Sequence, residues 1–521
     1  MQPPRGDDSA HERRQRSLPV VDSLPEAMAW GQNGLRRLLQ NNLEITPGSL
    51  KQQLTNNTVS MSSCFSGVAA PEVSTRMIEH AATTVFSDDE TRPLRISPVF
   101  VIEKSPKCRD ELLAMEQPPK HVFGDIVDFA PNNIRRILGC SGSAKSSSTQ
   151  VREVVPFCKM RLTAHCYRCN SNCTLRRTAM HVAGSPCQDH SIMNQARNTI
   201  YGKHIGLFYL WCALMRTMRI ILVFHENVWQ FGEDELRRCL GDCYVVIRLR
   251  TCPSMLGWPS IRVRQVTVLI LRAWENLQIQ GALPEDDESF ITALDLEATF
   301  HAAFDRACGI TLMHYCIATE KELVEDRAWA GSRVLVQEAR AQHPEIDVSS
   351  GKAFLTVNEL DRMRYYLNKP NRPHVVDLNQ NPLERKVCSI GKALHTLTKG
   401  AGILWCYDVD RALVPSELWS AQGFPIDDDA VRAAGTRCMF SRGVLAPSSR
   451  TRASQIGQIG NTMHVNVIGG VMLATLARVP VVGKDTTPVG TSLQKRPLVS
   501  DAEGGSALGE HFRSLMRRRR Q

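Results

Sequence analysis

The chain has 521 residues, of which 43% are hydrophobic and 22% are charged. This composition supports a packed core, excludes a wholly disordered chain, and at this length predicts two or three domains. The 63 Lys and Arg exceed the 53 Asp and Glu, giving a formal charge of +10. This basic excess permits a polyanionic partner without requiring one.

The first 55 residues are rich in Gln, Asn, Pro and charge and lack sustained periodicity. We interpret 1–55 as a disordered N-terminal arm. From residue 58, strand-like and helix-like segments alternate. The predicted elements are, in order, a strand "TVSMSSCF", a helix "PEVSTRMIEHAATTVF", a strand "PVFVI", a helix "SPKCRDELLAM" and a strand "HVFGDI".

The alternation resumes after a Ser/Gly linker at 139–150. The predicted elements are then a strand "AMHVAG", a helix over 194–215, a strand "IILVF", a helix "GEDELRRCL" and the strands "CYVVIRL" and "QVTVLIL". Such alternation predicts an α/β fold with a mostly parallel, doubly wound sheet. Ligands of these sheets bind at the loops beyond the carboxyl ends of the strands.

The remaining segments differ in character. The apolar stretch 205–224 is interrupted by Arg216 and Arg219, so we expect a buried helix and a strand here, with no membrane span. From 275 to 405 the alternation is lost, which predicts a second, smaller and irregular domain. The end of the chain, after 476, turns Gly/Pro/Thr-rich and finishes "RSLMRRRRQ". We interpret it as a disordered basic tail, suited to phosphate contacts, nuclear import or solubility.

The 17 cysteines are an odd number, and the N-terminus has no apolar stretch typical of a secretory leader. We therefore expect reduced thiols in an intracellular protein, and the basic tail favours the nucleus. One cluster, "CKMRLTAHCYRCNSNC", has spacing suited to tetrahedral zinc. The expected ligands of this structural zinc are Cys158, Cys166, Cys169 and Cys173, with His165 beside them. Unlinked reduced thiols are the alternative.

Three loops at one predicted sheet edge carry candidate cofactor residues. Gly67 follows the first strand and lets a ligand approach the backbone closely. Glu103 ends the second strand, where a doubly wound fold binds ribose hydroxyls, and Asp125 follows the third. No G-x-G-x-x-G is present, so a nucleoside without a pyrophosphate fits better than NAD. Taken alone, Glu103 could be a surface carboxylate.

A second group of residues points to covalent chemistry. Cys187, in "AGSPCQDHS", lies in a tight turn after a strand, which favours an accessible thiol over an inert core cysteine. Glu226 follows the next strand and is expected on a neighbouring loop. Arg262 and Arg264 precede the strand 265–271. A thiol, a carboxyl and two guanidiniums at one edge would make a catalytic set, although each alone could be a solvated surface residue.

These segments resemble, in order, the motifs of the DNA cytosine-5 methyltransferases. "CFSGVAAPE" is similar to the first motif, "VIEK" and "FGDI" to the second and third, "AGSPCQDHS" to the nucleophile motif, "HENV" to the Glu-Asn-Val motif, "IRVR" to the eighth, "RALVPSELWSAQGFP" to the ninth and "QIGNTMHVNVIGGVMLATL" to the tenth. The resemblance covers about 57–476. It departs from the family pattern at Ser260-Ile261, where Gln is usual, at Thr462-Met463-His464, where Val-Pro is usual, and in the glycine pairs of the first motif.

The resemblance implies a Rossmann-like S-adenosylmethionine-dependent methyltransferase sheet with a smaller target-recognition domain. The implied division is a catalytic domain over 56–274 with a Cys-rich insertion at 139–175, a target-recognition region over 275–405, the rest of the catalytic domain over 406–478 and a tail over 479–521. Basic residues of the recognition region are candidates for contacts with double-stranded DNA: Arg362, Arg364, Lys369, Arg372, Arg385 and Lys386.

The resemblance also implies roles. Cys187 would add to C6 of a flipped-out cytosine, and Glu226 would hold N3 and the exocyclic amine. Arg262 would contact O2 of the base, and Arg264 would orient the loop or contact phosphate. S-adenosylmethionine would be bound by seven residues: Phe65, Gly67, Glu103, Asp125, Ile126, Pro186 and Asn461.

Two alternatives share this fold. A tRNA cytosine-5 methyltransferase would resemble the DNA enzymes in every catalytic motif, but it carries a Cys-Phe-Thr signature that this sequence lacks. A catalytically silent DNA-binding scaffold would tend to lose the nucleophile or the acid. Cys187 and Glu226 are both present, so the sequence favours an active DNA methyltransferase.

Overall fold

The computed structural model describes residues 18–40, 47–55, 57–86, 92–140, 148–191, 198–202, 204–272, 291–292, 294–347, 350–384, 387–389 and 391–479. The basic tail beyond 479 and most of the Ser/Gly linker lie outside the described residues.

The strands follow the predicted alternation closely in the first half of the chain. They are β1 Val20–Val21, β2 Thr58–Cys64, β3 Arg95–Ile102, β4 His121–Phe123, β5 Thr163–Cys166, β6 Ser171–Thr174, β7 Met180–Ala183, β8 Leu222–Val228, β9 Tyr244–Thr251, β10 Arg264–Leu271, β11 Ala307–Cys308, β12 Val375–Asp377, β13 Leu404–Cys406 and β14 Arg411–Ala412.

Helices fill most of the intervening segments. They are α1 Leu24–Met28, α2 Trp30–Gln40, α3 Pro47–Leu54, α4 Ala70–Phe86, α5 Pro106–Leu113, α6 Asn132–Ile137, α7 Ser148–Val154, α8 Ile205–Met218, α9 Glu233–Leu240, α10 Leu296–Phe304, α11 Glu320–Gly331, α12 Val334–Gln342, α13 Val357–Leu367, α14 Pro415–Ser420, α15 Asp428–Ala434, α16 Arg452–Asn461 and α17 Val465–Arg478.

The centre of the fold is a nine-stranded mixed sheet with the order β6-β5-β4-β3-β2-β7-β8-β10-β9. Its middle strands, β4-β3-β2-β7-β8, run parallel, whereas β10 is antiparallel to both of its neighbours. The β5–β6 hairpin extends the edge beyond β4 in the antiparallel direction. The predicted α/β fold is therefore confirmed, and the parallel part brings the loops after β2, β3, β4 and β7 to one edge.

Hydrophobic cores cover both faces of this sheet. Successive residues of one strand enter different cores: Val101 and Phe224 lie in one cluster, Ile102 and Val223 in the other. This alternation follows from the period of two of a β-strand, and it explains why a strand covered on both faces, such as β10, is almost continuously buried along its length. The first core is closed by α2, α4, α10 and α17, which pack against one another.

The predicted disordered arm is wrong over residues 18–40. Helix α1 has an N-cap at Ser23, whose side chain accepts from the Glu26 amide, and α2 packs against α4. The Ala27 carbonyl accepts from Asn466 Nδ2 at 3.1 Å. The segment is polar in composition, but most of its apolar side chains, such as Trp30 and Leu35, pack on the core, whereas Val20 is 48% exposed.

The region 275–405 is also more regular than predicted, since its described part contains α10 to α13. Helix α10 packs against α2 and α17 in the first core. Helix α11 buries only Ala330, so it has no apolar stripe that would show as periodicity in the sequence. Strands β12 to β14 form a separate three-stranded sheet over a small core that includes Trp405 and Tyr366.

Residues Arg452–Arg478 are long and apolar enough to cross a membrane by length and composition. In the fold, 89% of the most apolar window of this stretch is buried, as in the core helix of a globular protein.

Trp30 offers a test of the ordered N-terminal segment. Its ring packs on Phe304 with a centroid distance of 6.0 Å and is 6% exposed. We expect Trp30→Ala to lower the free energy of unfolding by about 3–5 kcal/mol, because a cavity replaces a buried indole. Urea denaturation measures this loss, with Leu445→Ala, at a side chain 90% exposed, as the control. Equal midpoints for the two variants would contradict the packed position of this segment.

Candidate active site

The loop after β2 has an unusual backbone. Phe65, Gly67 and Ala69 all have positive φ, at 57°, 63° and 65°. Non-glycine residues in this region carry a conformational cost of about 1–3 kcal/mol, and such residues concentrate at functional sites. The Gly67 amide donates to Glu103 Oε2 at 3.2 Å, so the contorted loop points a backbone N–H at the acid that follows β3.

Glu103 is buried at the end of β3. Its Oε1 accepts a hydrogen bond from the Ser105 amide at 2.8 Å, and the residue is only 9% exposed. Burial raises the pKa of Glu103 to about 7, although the two amides favour the charged form. A carboxyl group that ionises near neutral pH, and whose oxygens have further lone pairs, is suited to accept hydrogen bonds from hydroxyl groups.

Asp125 lies beside it, after β4. Its Oδ1 accepts from the Val127 amide at 3.1 Å and its Oδ2 contacts Lys104 Nζ at 2.9 Å. The next residue, Ile126, is buried. The parallel pairing of β3 with β4 places these two acids on neighbouring loops.

Cys187 lies in the turn after β7, and buried side chains hold that turn by hydrogen bonds to Ser185. Ser185 Oγ lies 2.8 Å from His225 Nε2, and Asn227 Nδ2 donates to Ser185 Oγ at 3.0 Å and to the Ser185 carbonyl at 3.2 Å. His225 and Asn227 are buried and flank Glu226 in β8, so they face away from it. Pro186 and Cys187 remain partly accessible.

Glu226 lies within strand β8, and the expectation that it occupies a loop is wrong. It pairs in register with Val266 of β10. Glu226 Oε1 contacts Arg264 Nε at 3.0 Å, and both side chains are about one-seventh exposed or less, at 13% and 14%. The carboxylate and the guanidinium therefore form one ion pair that is largely shielded from solvent.

Arg262 is buried and bonded to main-chain carbonyls. Its terminal nitrogens donate to Leu397 O at 3.0 Å and to Thr462 O at 2.8 Å. Burial, and to a lesser extent the charge of the neighbouring Arg264, lower the pKa of Arg262 to about 9. The side chain thus holds the segment before β10 against the loop between α16 and α17, and it is Arg264, not Arg262, that contacts the acid.

Gly184 marks the point where these segments meet. A β-carbon built there would lie 2.7 Å from Met463 Cε, 3.4 Å from Phe65 O and 3.5 Å from Glu226 Oε2. The Asn461 carbonyl is similarly 3.7 Å from a β-carbon at Gly67. The nucleophile turn, the loop after β2, the acid on β8 and the α16–α17 loop are therefore close neighbours.

The electrostatic surroundings of Cys187 agree with this proximity. Burial raises the pKa of the thiol above its ordinary value, Arg264 and Arg262 lower it, and Glu226 raises it. The charges that act on the sulfur are thus those of the predicted catalytic set.

The residues that depart from the family pattern are accommodated in the core. Met463 packs at Gly184, and His464 lies edge-on to Trp258 with a centroid distance of 5.2 Å. Burial lowers the pKa of His464 to about 3, so the imidazole is neutral.

The predicted zinc ligand set needs one correction. His121 Nδ1 lies 3.6 Å from Cys169 Sγ and 3.8 Å from Cys166 Sγ, and the ligand atoms of His121, Cys166, Cys169 and Cys173 all lie within 4.8 Å of one another. Cys158 is outside this group and packs against the second core, with its sulfur 3.8 Å from Met160 Sδ. His165 is also outside it.

Three predicted DNA-contacting side chains of the recognition region are exposed: Arg364, Lys369 and Arg372. Lys369 Nζ lies 4.3 Å from the centre of the Tyr365 ring, and Arg372 lies over Tyr407 at 5.1 Å. Arg362 instead donates to the Leu378 carbonyl at 2.7 Å and supports the fold. Arg385 and Lys386 lie outside the described residues.

No family model matches the chain, and no curated protein matches it. Among solved structures it is similar to a putative DNA modification methyltransferase encoded within a prophage, from E. coli, at 13% identity and a TM-score of 0.39, over 81% of this chain and 99% of the other. The Dnmt2 methyltransferase of S. pombe matches at 12% identity and 0.37, over 80% and 98%. The Entamoeba histolytica methyltransferase EhMeth matches at 12% and 0.36, over 81% and 98%. Similarity at this level carries no weight for function.

The charges around Cys187 predict how its reactivity responds to substitution. Arg264→Gln should raise the pKa of the thiol and slow its alkylation at a given pH, whereas Glu226→Gln should lower the pKa and speed it. Peptide mass spectrometry after iodoacetamide treatment over a pH series measures the rate at this one cysteine. Cys243, on another part of the chain, serves as the internal reference. Identical pH profiles in both variants would show that these charges do not act on the sulfur.

Proposed function

We propose that this protein is a DNA cytosine-5 methyltransferase that uses S-adenosylmethionine. The observation that carries the proposal is the meeting at Gly184 of the thiol-bearing turn, the Glu226–Arg264 pair and the loop that donates to Glu103. A nucleophile, an acid and a nucleoside-type pocket side by side are what this reaction requires.

The proposed donor pocket lies at the loops after β2, β3 and β4. Glu103 would accept from the ribose hydroxyls, because each carboxylate oxygen uses only one lone pair on the Gly67 and Ser105 amides. Asp125 would accept from the adenine amine, and Phe65 and Ile126 would flank the base. Pro186 and Asn461 would close the pocket from the nucleophile turn and the α16–α17 loop. When bound, S-adenosylmethionine supplies an electrophilic methyl group.

Cys187 would supply the covalent step. Its thiolate would add to C6 of cytosine, and the electron pair displaced from the C5–C6 double bond would let C5 attack the methyl carbon, whose bond to the donor sulfur would break to leave a neutral thioether. Loss of the C5 proton to water would then re-form the double bond and expel the thiolate. Because burial favours the neutral thiol, the positive charge of Arg264 would help the sulfur to ionise.

Glu226 and Arg264 would act together on the pyrimidine. Glu226 would bind N3 and the exocyclic amine, and protonation at N3 would relieve the negative charge that develops on addition. Arg264, rather than Arg262, would reach O2, since only Arg264 contacts the acid. Arg262 would be a positioning residue, because its guanidinium is taken up by the Leu397 and Thr462 carbonyls.

Double-stranded DNA is the proposed substrate. C6 is enclosed in a base stack, so the target cytosine would have to rotate out of the duplex. The exposed Arg364, Lys369 and Arg372, together with the formal charge of +10, would favour the phosphate backbone.

Covalent capture tests this mechanism. Duplex DNA containing 5-fluorocytosine should trap the wild-type chain in the presence of S-adenosylmethionine, because fluorine cannot leave as the C5 proton does. Cys187→Ser should form no adduct and lose methyl transfer by on the order of 10³-fold or more. Glu226→Gln should slow transfer by roughly 10²- to 10⁴-fold. Denaturing gel shift and transfer of tritiated methyl groups measure the two effects.

Cys308→Ser, at an exposed thiol in β11, is the matched control and should behave as wild type. An adduct that survives Cys187→Ser would refute the assigned nucleophile. Parallel incubation with tRNA separates the nearest alternative, since methyl transfer to tRNA but not to duplex DNA would overturn the substrate proposed.

The pKa of Glu103 gives a second test. Ribose hydroxyls bond to the carboxylate, so binding should favour its charged form and lower its pKa from about 7. We expect affinity for S-adenosylmethionine to rise with pH, approaching tenfold per unit below about pH 7, and a proton to be released. Calorimetry in buffers of different ionisation enthalpy measures both. The dependence should vanish in Glu103→Gln, and a wild-type affinity that does not change from about pH 6 to about pH 8 would contradict the ribose role.

A further inference from the structure

We propose that His121, Cys166, Cys169 and Cys173 bind one structural zinc ion, and that this ion fixes Tyr167 against the loop carrying Asp125. The metal site stands on its own geometry. Its coupling to the donor pocket rests on the proposed function, because it requires that Glu103 and Asp125 bind S-adenosylmethionine.

The ligand atoms have the spacing of a tetrahedral site. Zinc bonds of about 2.3 Å to sulfur and about 2.0 Å to nitrogen place neighbouring ligands roughly 3.5–3.8 Å apart. His121 Nδ1 lies 3.6 Å and 3.8 Å from the sulfurs of Cys169 and Cys166. All four ligand atoms fit within 4.8 Å. Three thiolates and an imidazole suit zinc better than magnesium or calcium, which prefer oxygen.

The turn from Cys166 to Cys169 is followed by Asn170 with φ of 50°, a left-handed residue that reverses the chain into β6. The Cys-x2-Cys turn is thus preshaped around one point.

The strands of the hairpin that carries the thiols bury few side chains. Along β5 and β6 only Cys166 is buried, and its ladder to β4 is the single pair Phe123–Cys166. A two-stranded hairpin with exposed faces is marginally stable in water. An ion that joins His121 on β4 to three thiols of the hairpin would fasten it to the edge of the main sheet. Four protein ligands leave no open position, so the site would be structural and not catalytic.

Tyr167 connects this site to the proposed donor pocket. It lies between the ligands Cys166 and Cys169, and its amide donates to the Val122 carbonyl at 2.7 Å. The ring also lies against Gly124, the residue that directly precedes Asp125. A β-carbon at Gly124 would be 3.2 Å from the Tyr167 ring. On its other side, Arg109 stacks over the ring at 3.9 Å.

Arg109 completes the connection to the second acid. It is 8% exposed, and its guanidinium donates to the Glu103 carbonyl at 3.0 Å and to the Lys104 carbonyl at 2.6 Å. The ring of Tyr167 therefore contacts the Asp125 loop directly and the Glu103 loop through Arg109. Disorder of the hairpin would release both loops.

Metal analysis of the purified full-length chain tests the site. The wild type should hold about one equivalent of zinc, and His121→Ala and Cys169→Ser should lose it. Cys158→Ser and His165→Ala are matched controls, since they remove a thiol and an imidazole of the same segment that lie outside the group; both should retain the metal. Wild-type zinc content in His121→Ala, or no zinc in the wild type, would overturn the proposal.

Calorimetric binding of S-adenosylmethionine tests the coupling. Removing zinc with a chelator, or substituting His121→Ala, should weaken binding by roughly tenfold, and Tyr167→Ala should do the same while keeping its zinc. Tyr167→Phe retains the ring and should bind as wild type. Unchanged affinity in zinc-free protein would overturn the coupling. A wild type that holds zinc but binds no donor would instead overturn the methyltransferase proposal and leave the metal site standing.

Discussion

The candidate site depends on close packing around Gly184. A β-carbon at this residue would lie 2.7 Å from Cε at the flexible end of Met463, and in ordinary van der Waals contact with the Phe65 carbonyl oxygen at 3.4 Å and Glu226 Oε2 at 3.5 Å. The turn that bears Cys187 is held from below by Ser185, His225 and Asn227. The sulfur is thus presented by packing and buried hydrogen bonds, and not by a free loop. The acid is held more rigidly still, since it lies within a paired strand.

Most strands of the sheet could be predicted from the sequence for a physical reason. Strands covered on both faces are rich in apolar residues, so β2 to β4 and β7 to β10 stand out, whereas the mostly exposed hairpin β5–β6 was not predicted. Prediction also failed for helices whose signal is sparse. Helix α2 has few apolar residues, all of them on the core, and α11 has no buried stripe at all.

At the candidate site, the sequence proposes which residues act but does not predict which of them touch. The order of motifs pointed to Cys187, Glu226, Glu103 and Asp125, but no pattern distinguishes Arg262 from Arg264. Tertiary contacts decide that one guanidinium binds main-chain carbonyls and the other the acid. The metal ligands show the same limit, since His121 lies 45 residues before Cys166 and joins it only through strand pairing. Cys158 has a suitable spacing but packs against the second core, outside the group of ligand atoms. The buried pair His225 and Asn227 could have been found from the alternation of β8 on either side of Glu226.

The arrangement of α2, α4 and α17 has a consequence for biogenesis. Helix α17, almost the last described segment, packs against α4 and α2 from the beginning of the chain, and Asn466 bonds to the Ala27 carbonyl. Until residue 478 has left the ribosome, α2 and α4 lack one of their packing partners, and apolar helix surface stays open to solvent. Closure of this core must therefore await the synthesis of α17, and protection of the apolar surface until then would matter more here than for a protein that folds segment by segment.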